Sequence, residues 1–322
     1  MLFRSSRMME YDQLLVWAVL SLMLIGLVMV YSASITLADG PKYANYSSNF
    51  FLIRHLISLA IAIGVGIWAF KIPSKVWDRY SPVIFGFTVI LLIAVLIPGI
   101  GKGVNGAKRW IPLGVMNFQP SELMKFAAVI FAASYTVQRQ EYLHSFSKGM
   151  LPMGIAVALV GGLLMKEPDM GAFVVVALIA FGILFLGGIN AKLFGGLIVV
   201  GLLSGAAMIA LSPFRRGRML AFMDPWQVDN AANKGYQLTH SLMAFGRGEW
   251  FGTGLGGSVE KLHYLPEAHT DFIMAVIGEE LGFVGVVVMI FLFYWIVRRA
   301  FMIRSEEHTS ELQSHHDLVC RL

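Results

Sequence analysis

Apolar residues occur in long runs along this chain, and the spacing of these runs predicts its architecture. A helix needs about 20 apolar residues to cross a hydrocarbon core about 30 Å thick. Runs close to that length cover approximately 14–33, 51–70, 82–97, 118–137, 151–165, 171–188, 193–211 and 271–297. The pattern therefore predicts an all-α fold, a polytopic transmembrane helix bundle with about eight spans.

Composition supports a membrane protein and excludes several other classes. Of 322 residues, 57% are hydrophobic and 14% are charged, whereas soluble domains carry about 25% charged residues. This balance excludes a cytosolic enzyme, a disordered chain and a secreted disulfide scaffold. In a membrane protein, a net charge of +5 mostly reflects Lys and Arg residues in the loops, which set the topology and contact anionic lipid headgroups. We therefore expect no nucleic-acid partner.

The basic residues of the short loops predict the orientation. With the N-terminus in the cytoplasm, the inner connections hold more Lys and Arg, from Arg4 and Arg7 to Arg304, than the opposite loops. We therefore expect a multi-pass protein with a cytoplasmic N-terminus. Lys108 and Arg109 nevertheless lie in an outer, glycine-rich loop, 98–119, which indicates an anionic partner outside the membrane.

A second outer segment, 212–270, is far longer than an ordinary loop. Tyr236, Leu242 and Phe245 follow a roughly helical spacing within it, which predicts a surface-lying or partly re-entrant element between spans seven and eight. The glycines of 252–257 match the letters of a dinucleotide-binding motif, but they follow no buried strand. We interpret them as positions where backbone segments pack closely.

The chain changes abruptly in character at its end. Residues 304–322 are polar and follow directly on an apolar span. A natural cytoplasmic tail is one interpretation, but the segment also resembles an in-frame translation of a sequencing adapter. We take 1–303 as the integral membrane domain and 304–322 as an artefact without a defined tertiary position, so that the natural chain would continue beyond Ile303. Its histidines and Cys320 are excluded from any metal site.

Two clusters near the outer side contain charged residues in or beside spans. Glu122 and Lys125 stand at i, i+3 on one helix face and either neutralise each other at the interface or face a polar cavity. Lys108 and Arg109 precede Trp110, an aromatic residue that commonly anchors a helix at the headgroup level. The planar guanidinium of Arg109 suits the oxygens of a lipid phosphate or pyrophosphate.

Two further carboxylates lie next to predicted spans. Asp169 lies in a tight turn, where aspartate is an ordinary residue. Asp271 precedes the last span, where it is either an N-cap or, with Glu267 and His269 nearby, a general base. A metal site built from these residues and His263 has no recognised ligand spacing, so we predict none.

Several strings in the chain resemble one family. They are Tyr31-Ser32-Ala33-Ser34 and the runs 105–111, 119–125, 167–171 and 244–282. Together they are similar to the SEDS proteins (shape, elongation, division and sporulation), which are bacterial peptidoglycan glycosyltransferases, over nearly everything from Tyr11 to Arg304. The strings 244–252 and 265–271 look like the division branch rather than the elongation branch. The family fold has ten spans, of which eight would be present here.

The resemblance implies a function and a site. Family members polymerise lipid II at the outer face of the cytoplasmic membrane, and the division branch acts at the septum. Asp271 matches the catalytic carboxylate. The residues that fall on motifs lining the family's outward cavity are Arg109, Trp110, Glu122, Lys125 and Asp169, and we add Lys108, Glu267 and His269 as substrate-binding candidates.

The resemblance also implies partners. They are lipid II and the growing lipid-linked glycan, a class B penicillin-binding transpeptidase and other divisome membrane proteins. No cofactor is assigned, and a divalent cation is the one that we consider. The competing hypotheses are a lipid II flippase or transporter and a non-catalytic divisome scaffold. Because the base and the cations all fall on the outer side, they favour polymerisation over transport.

Overall fold

The structure is a computed structural model that describes residues 12–39, 47, 49–104, 107–112 and 117–319, with all side chains in these ranges except those of 38, 39, 104, 228, 231 and 304–319. Its α-helices are α1 Gln13–Ser34, α2 Phe50–Phe70, α3 Ser74–Leu96, α4 Pro120–Gln138, α5 Leu151–Lys166, α6 Met170–Leu186, α7 Ala191–Ala210, α8 Pro213–Met223, α9 Val228–Ala232, α10 Tyr236–Gly248 and α11 Ile273–Val319. Arg4, Arg7, Asn105, Gly106 and Cys320, which enter the sequence predictions, lie outside the described residues.

Helix ends follow local capping chemistry. Asp12 caps α1 by accepting a hydrogen bond from the backbone N–H of Leu15 at 2.8 Å, and Ser212 caps α8 in the same way. Pro120 occupies the first position of α4, where its missing N–H costs nothing. These caps fix where the apolar runs become helical.

All eight predicted apolar runs lie on helices. Among the described residues, six helices are long and apolar enough to cross a membrane: Gln13–Leu37, Phe50–Phe70, Ser74–Leu96, Phe146–Lys166, Ala191–Ala210 and Ile273–Ile303. The remaining two runs form α4, which carries Glu122 and Lys125, and α6, which has 17 residues. The prediction of a polytopic, helical membrane protein is confirmed.

A small antiparallel sheet occupies part of the glycine-rich loop 98–119. Strands β1 Lys102–Val104, β2 Ala107–Pro112 and β3 Asn117–Phe118 pair in the order β1-β2-β3. Lys102 pairs with Trp110, and Ile111 pairs with Phe118. The sequence pattern does not predict this sheet. β1 and β3 have three and two residues, and the six residues of β2 do not alternate between apolar and polar.

The chain folds as two compact units. One comprises 1–64 and 209–322, and the other comprises 65–208. The first unit packs α1, α10 and α11 around a core that includes Met29, Leu265 and Val276. The second packs α3, α4, α5 and α6 around Leu92 and Met124.

The last helix differs from the single predicted span at one residue, Gly282. Gly282 has φ 67° and ψ −166°, which divides α11 into two helical parts. The backbone then stays helical through Val319, so the polar segment after Ile303 continues the helix. A helical backbone does not define a tertiary position, so the interpretation of 304–322 as an artefact stays a prediction. Its side chains lie outside the described part of the chain.

Candidate active site

The segment that carries Asp271, residues 249–272, lies against the break in α11. The backbone N–H groups of Thr253 and Gly254 donate to the carbonyl oxygens of Glu279 and Glu280, at 2.9 and 3.1 Å. A Cβ at Gly252, which has φ +79°, would lie 2.1 Å from the Glu280 carbonyl oxygen. The close backbone packing predicted for this glycine-rich stretch is therefore present.

The backbone N–H groups that follow the break also have hydrogen-bond partners. The N–H groups of Phe283 and Val284 donate to the carbonyl oxygens of Glu249 and Trp250, at 2.8 and 3.1 Å. A helix break at membrane depth is tolerated only where protein groups or cavity water replace the lost helical hydrogen bonds. Segment 249–254 supplies these groups and is thereby held to α11 by its backbone.

Asp271 is not the N-cap of the last helix. The carbonyl oxygen of Phe272 accepts the first helical hydrogen bonds, from Ala275 and Val276 at 2.9 and 3.4 Å. A turn in which the Glu267 carbonyl oxygen accepts from the N–H of Phe272, at 3.2 Å, delays the helix start to Ile273. The N-cap interpretation of Asp271 was wrong for this reason.

Asp271 is exposed, and within its own unit its carboxylate makes no hydrogen bond or ion pair with a described residue. It lies two residues before the start of α11, whose N-terminus favours negative charge. An exposed carboxylate without a hydrogen-bond donor keeps its lone pairs for a substrate. This is the property that a general base requires.

Glu267 and His269 have structural contacts in the same turn. The carboxylate of Glu267 accepts from the Thr270 hydroxyl at 3.3 Å. The ring of His269 contacts that of Phe51 edge-on, with centroids 5.1 Å apart. Among the described residues, no group of three or more His, Cys, Asp or Glu side chains could hold a metal ion.

Two buried carboxylates next to the break, Glu279 and Glu280, were not predicted from the sequence. Glu279 is fully buried and accepts from Arg247 at 3.2 Å, from the Ser258 hydroxyl at 2.5 Å and from two backbone N–H groups, those of Val259 and Glu260. Glu280 is also fully buried and forms an ion pair with Lys261 at 2.6 Å. Both glutamates lie in the 244–282 run, which carried the family resemblance, but spacing alone assigned them no partner.

In the second unit, the Asp169 carboxylate accepts three hydrogen bonds. It caps α6 by accepting from the N–H of Ala172 at 3.2 Å. Its other oxygen accepts from Gln119 at 3.4 Å and from Ser121 at 3.3 Å. Arg109 Nη1 lies 4.0 Å from Asp169. The structure thus brings together two residues that the sequence analysis had named separately.

Arg109 also holds the turn that precedes α6. Its Nε donates to the Glu167 carbonyl oxygen at 3.1 Å, and its Nη2 donates to that of Pro168. The side chain of Glu167 is fully buried, and neither of its carboxylate oxygens has a hydrogen-bond partner among the described residues. Burial, together with the nearby charge of Asp169, raises the pKa of Glu167 to about 8, against the opposing effect of Arg109.

The other predicted residues of this unit are more accessible. Glu122 and Lys125 form the expected ion pair, with 2.7 Å between Oε2 and Nζ. Lys108 is exposed on β2, and Trp110 is half-buried on the same strand. The sheet therefore presents Lys108, whereas Arg109 turns toward α6.

A cationic cavity opens in the first unit. Its volume is about 630 Å³. The residues that line it are Phe214, Arg218, Ala232, Asn233, Lys234, Tyr236, Gln237 and Pro266. Two of these side chains are cationic, and Pro266 belongs to the segment that carries Asp271. The cavity suits an anionic group.

The fold and these features define a class: a polytopic helical membrane protein with an exposed carboxylate and with cations presented outside its apolar helices. The family model described as "Cell cycle protein", FtsW/RodA/SpoVE, matches residues 13–320. The chain belongs to this family. The resemblance found in the sequence is confirmed.

Curated relatives agree with this assignment. A protein of Polynucleobacter necessarius subsp. necessarius (strain STIR1), named "Probable peptidoglycan glycosyltransferase FtsW", is 94% identical over 298 residues, which are 92% of this chain and 70% of the relative. A protein of Burkholderia thailandensis with the same name is 61% identical, over 92% of this chain and 64% of the relative. Both names are those of the division branch.

Two solved structures share the fold. A chain of the structure described as "Structural coordination of polymerization and crosslinking by a peptidoglycan synthase complex" aligns with a TM-score of 0.71 at 26% identity, over 91% of this chain and 78% of that chain. The rod shape determining protein RodA of Thermus thermophilus aligns with a TM-score of 0.60 at 22% identity, over 92% and 76%.

Proposed function

We propose that this chain polymerises lipid II into glycan strands at the outer face of the cytoplasmic membrane, with Asp271 as the general base. Its family and its high identity to curated relatives make the chain a peptidoglycan glycosyltransferase. Lipid II as the substrate, the septum as the site of action and a cytoplasmic N-terminus are parts of the proposal that rest on the resemblance and on loop charge.

One observation carries the assignment of the base. Among the described residues of the first unit, the buried acidic side chains are all paired: Glu260 with His240 at 2.6 Å, Glu279 with Arg247, and Glu280 with Lys261. Asp271 is exposed, and its carboxylate has no such partner among the described residues of its unit. An ionised, accessible carboxylate can accept a proton without breaking the internal structure.

The reaction can be written with this residue. Asp271 takes the proton of the acceptor sugar hydroxyl as that oxygen attacks the anomeric carbon of the lipid-linked donor. The new glycosidic C–O bond forms while the bond between the anomeric carbon and the diphosphate oxygen breaks. The lipid diphosphate leaves with the electron pair, and nearby cations stabilise its developing charge.

Each unit, taken by itself, presents cations that suit phosphate oxygens. In the first unit, Arg218 and Lys234 line the open cavity. In the second, Lys108 is exposed on β2, whereas two nitrogens of Arg109 already bind backbone carbonyl oxygens. Arg109 therefore serves first to shape the turn before α6. Its Nη1 forms an ion pair with Asp169 at 4.0 Å but makes no hydrogen bond there, so it can still donate to a phosphate oxygen.

Partners and ions belong to the same proposal. The structural neighbour described as a peptidoglycan synthase complex supports a transpeptidase partner, and we propose a class B penicillin-binding protein together with other divisome membrane proteins. We assign no resident cofactor. Since divalent cations bind phosphate oxygens, adding EDTA to the assay separates a requirement for a divalent ion from one for protein cations alone.

The test is polymerisation by the purified chain in lipid vesicles supplied with lipid II. We expect Asp271→Asn to lower the rate by about 10²–10⁴-fold, the usual contribution of a general base, with unchanged membrane insertion. Glu249→Gln is the matched control, because Glu249 is another exposed carboxylate of the same segment. Wild-type rates for Asp271→Asn would refute the assignment.

The same vesicles separate the competing functions. Movement of lipid II across the bilayer without polymer formation would favour a flippase. If the wild-type chain made neither polymer nor translocated lipid II, alone or with a transpeptidase, the scaffold hypothesis would be favoured.

A further inference from the structure

Three distant segments of the first unit meet at a buried cluster of polar side chains, which we call the anchor triad: Ser32, Lys261 and Glu280. Lys261 Nζ donates to Glu280 Oε1 at 2.6 Å and to Ser32 Oγ at 3.0 Å. The Ser32 hydroxyl lies 2.7 and 2.8 Å from the two oxygens of Glu280 and donates to that carboxylate. Ser32 belongs to the Tyr31-Ser32-Ala33-Ser34 string, whose role the sequence alone did not explain.

The anchor triad is buried and electrically balanced. Lys261 is 4% exposed and Glu280 is 0% exposed, so neither charge is screened by solvent. The pair contains one cation and one carboxylate. Burying such a pair costs desolvation energy that the attraction between the charges barely offsets, so stability alone is a weak explanation for it. A buried pair of this kind is better at fixing geometry, since each charge tolerates one arrangement only.

The anchor triad connects the Asp271 segment to two helices. Ser32 lies on α1, Glu280 lies on α11 just before the break at Gly282, and Lys261 lies midway along segment 249–272. A second bond reinforces the link to α1, because the Thr36 hydroxyl donates to the Lys261 carbonyl oxygen at 2.9 Å.

The eleven residues from Lys261 to Asp271 are held by ordered contacts. The N–H of Leu265 donates to the Glu260 carbonyl oxygen at 2.8 Å. Leu265 and Ala268 are buried in the core that α1 and α11 share. The turn closed by Glu267 then leads directly to Asp271. A displacement at Lys261 is therefore transmitted along an ordered path rather than absorbed by a flexible loop.

We propose that the anchor triad is the positioning element for Asp271. Its members do not touch substrate; they set the register of segment 249–272 against α1 and the first part of α11, and so hold the Asp271 carboxylate where the acceptor hydroxyl binds. This inference rests on the proposed function of Asp271. A misplacement of a catalytic group by about 1 Å costs about 100-fold in rate, so a positioning element should affect turnover more than binding.

The first experiment measures kinetics on the full chain in lipid vesicles. Single changes at Lys261 or Glu280 leave one buried charge uncompensated and are expected to lower the yield of folded protein. The double variant Lys261→Met with Glu280→Gln removes both charges at nearly constant volume and keeps an acceptor for Ser32. We expect its kcat to fall by about tenfold or more while the KM for lipid II changes by less than about threefold.

The control variant removes a different ion pair, one that links α11 to the start of α1 without involving segment 249–272. Arg299 on α11 binds Asp12 at the start of α1, away from segment 249–272. Arg299→Gln should leave kcat unchanged. An unchanged kcat in the double variant would overturn the proposal, as would a kcat in the control that falls equally, because the effect would then report helix packing in general.

The second experiment observes position 271 without relying on activity. A nitroxide spin label is attached in an Asp271→Cys variant that also carries Cys320→Ser, and a control label is attached at Val137, which is 74% exposed on α4. The double variant should increase the mobility of the label at 271 and leave the label at 137 unchanged. Unchanged mobility at 271 would overturn the positioning role even if kcat fell.

The assignment of Asp271 as the base and the positioning role of the anchor triad can be refuted independently. If Asp271→Asn polymerises lipid II at the wild-type rate, the assignment of the base is wrong. The mobility of the label at 271 still decides whether the anchor triad holds that position.

Discussion

Arg109 meets Glu167 through the backbone, with Nε of the arginine donating to the carbonyl oxygen of the glutamate at 3.1 Å. The Glu167 carboxylate itself is buried and has no hydrogen-bond partner among the described residues. The arginine therefore stabilises the turn before α6 through hydrogen bonds to its backbone. Its charge lowers the cost of placing two acidic residues, Glu167 and Asp169, in one turn.

Arg109→Ala should reduce the use of lipid II more than Arg109→Lys. Lysine keeps the charge but loses the planar fork that reaches two carbonyl oxygens, so it should be intermediate rather than neutral. Initial polymerisation rates across a range of lipid II concentrations measure this order. Lys108→Ala, on the exposed face of β2, is the comparison, and we expect a smaller loss. Wild-type rates for Arg109→Ala would show that its bonds are dispensable.

Stability should fall as the pH rises, through Glu167. Its pKa is raised from 4.5 to about 8, so the folded state favours the protonated form. The resulting contribution is fully present below about pH 4.5 and is lost as the pH rises through about 8. Thermal unfolding between about pH 5 and pH 9 should therefore show a declining Tm that Glu167→Gln flattens. Glu141→Gln, an exposed glutamate of the same unit, should keep the decline; a flat wild-type profile would contradict the prediction.

The ion pair between Glu122 and Lys125 should show strong coupling. If the pair lies in the apolar part of the bilayer, removing one member leaves a lone charge that costs about 2.5–3.5 kcal/mol. Glu122→Gln and Lys125→Met should then each be more damaging than both changes together. A double-mutant cycle on the unfolding free energy in vesicles measures the coupling. Additive losses, or a coupling below about 1 kcal/mol, would place the pair in water.

Gly252→Ala should impair folding far more than Gly254→Ala. Both glycines have positive φ, +79° and +93°, so alanine is strained at either position. At Gly252 the new Cβ would also lie 2.1 Å from the Glu280 carbonyl oxygen, whereas nothing lies within 4 Å at Gly254. We expect the difference to reach about 1–3 kcal/mol, the usual cost of overpacking. The yield of monodisperse protein after extraction in detergent, with melting temperatures, compares the two; equal behaviour would mean that the backbones can separate.

Local patterns in the sequence were sufficient for the long apolar helices. Run length and apolar content predicted all eight helical segments because a helix forms its backbone hydrogen bonds within itself. The pairing of Glu122 with Lys125 was predictable for the same reason, since three residues of spacing place both on one face. The accessible position of Asp271 followed from its place before a span.

The start of α11 and the three-stranded sheet depended on turn geometry that short sequence patterns do not encode. Thr270 and Asp271 both suit an N-cap, but the turn closed by Glu267 moved the helix start to Ile273. Strands β1 and β3 are too short to show a period of two, and the six residues of β2, which include Arg109, do not alternate between apolar and polar. Which of several compatible local structures forms there is decided by neighbouring segments.

The sequence by itself determined the class of the protein and its helical spans, because both depend on residues close together in the chain, and the family resemblance proposed Asp271 as the base. Only the tertiary structure decided how the buried charges are paired. Ser32 lies 248 positions from Glu280 and 229 from Lys261, and no local rule links residues so far apart. Their pairing follows from desolvation: a buried charge must find an opposite charge or a donor, and only the packed helices determine which one lies within reach.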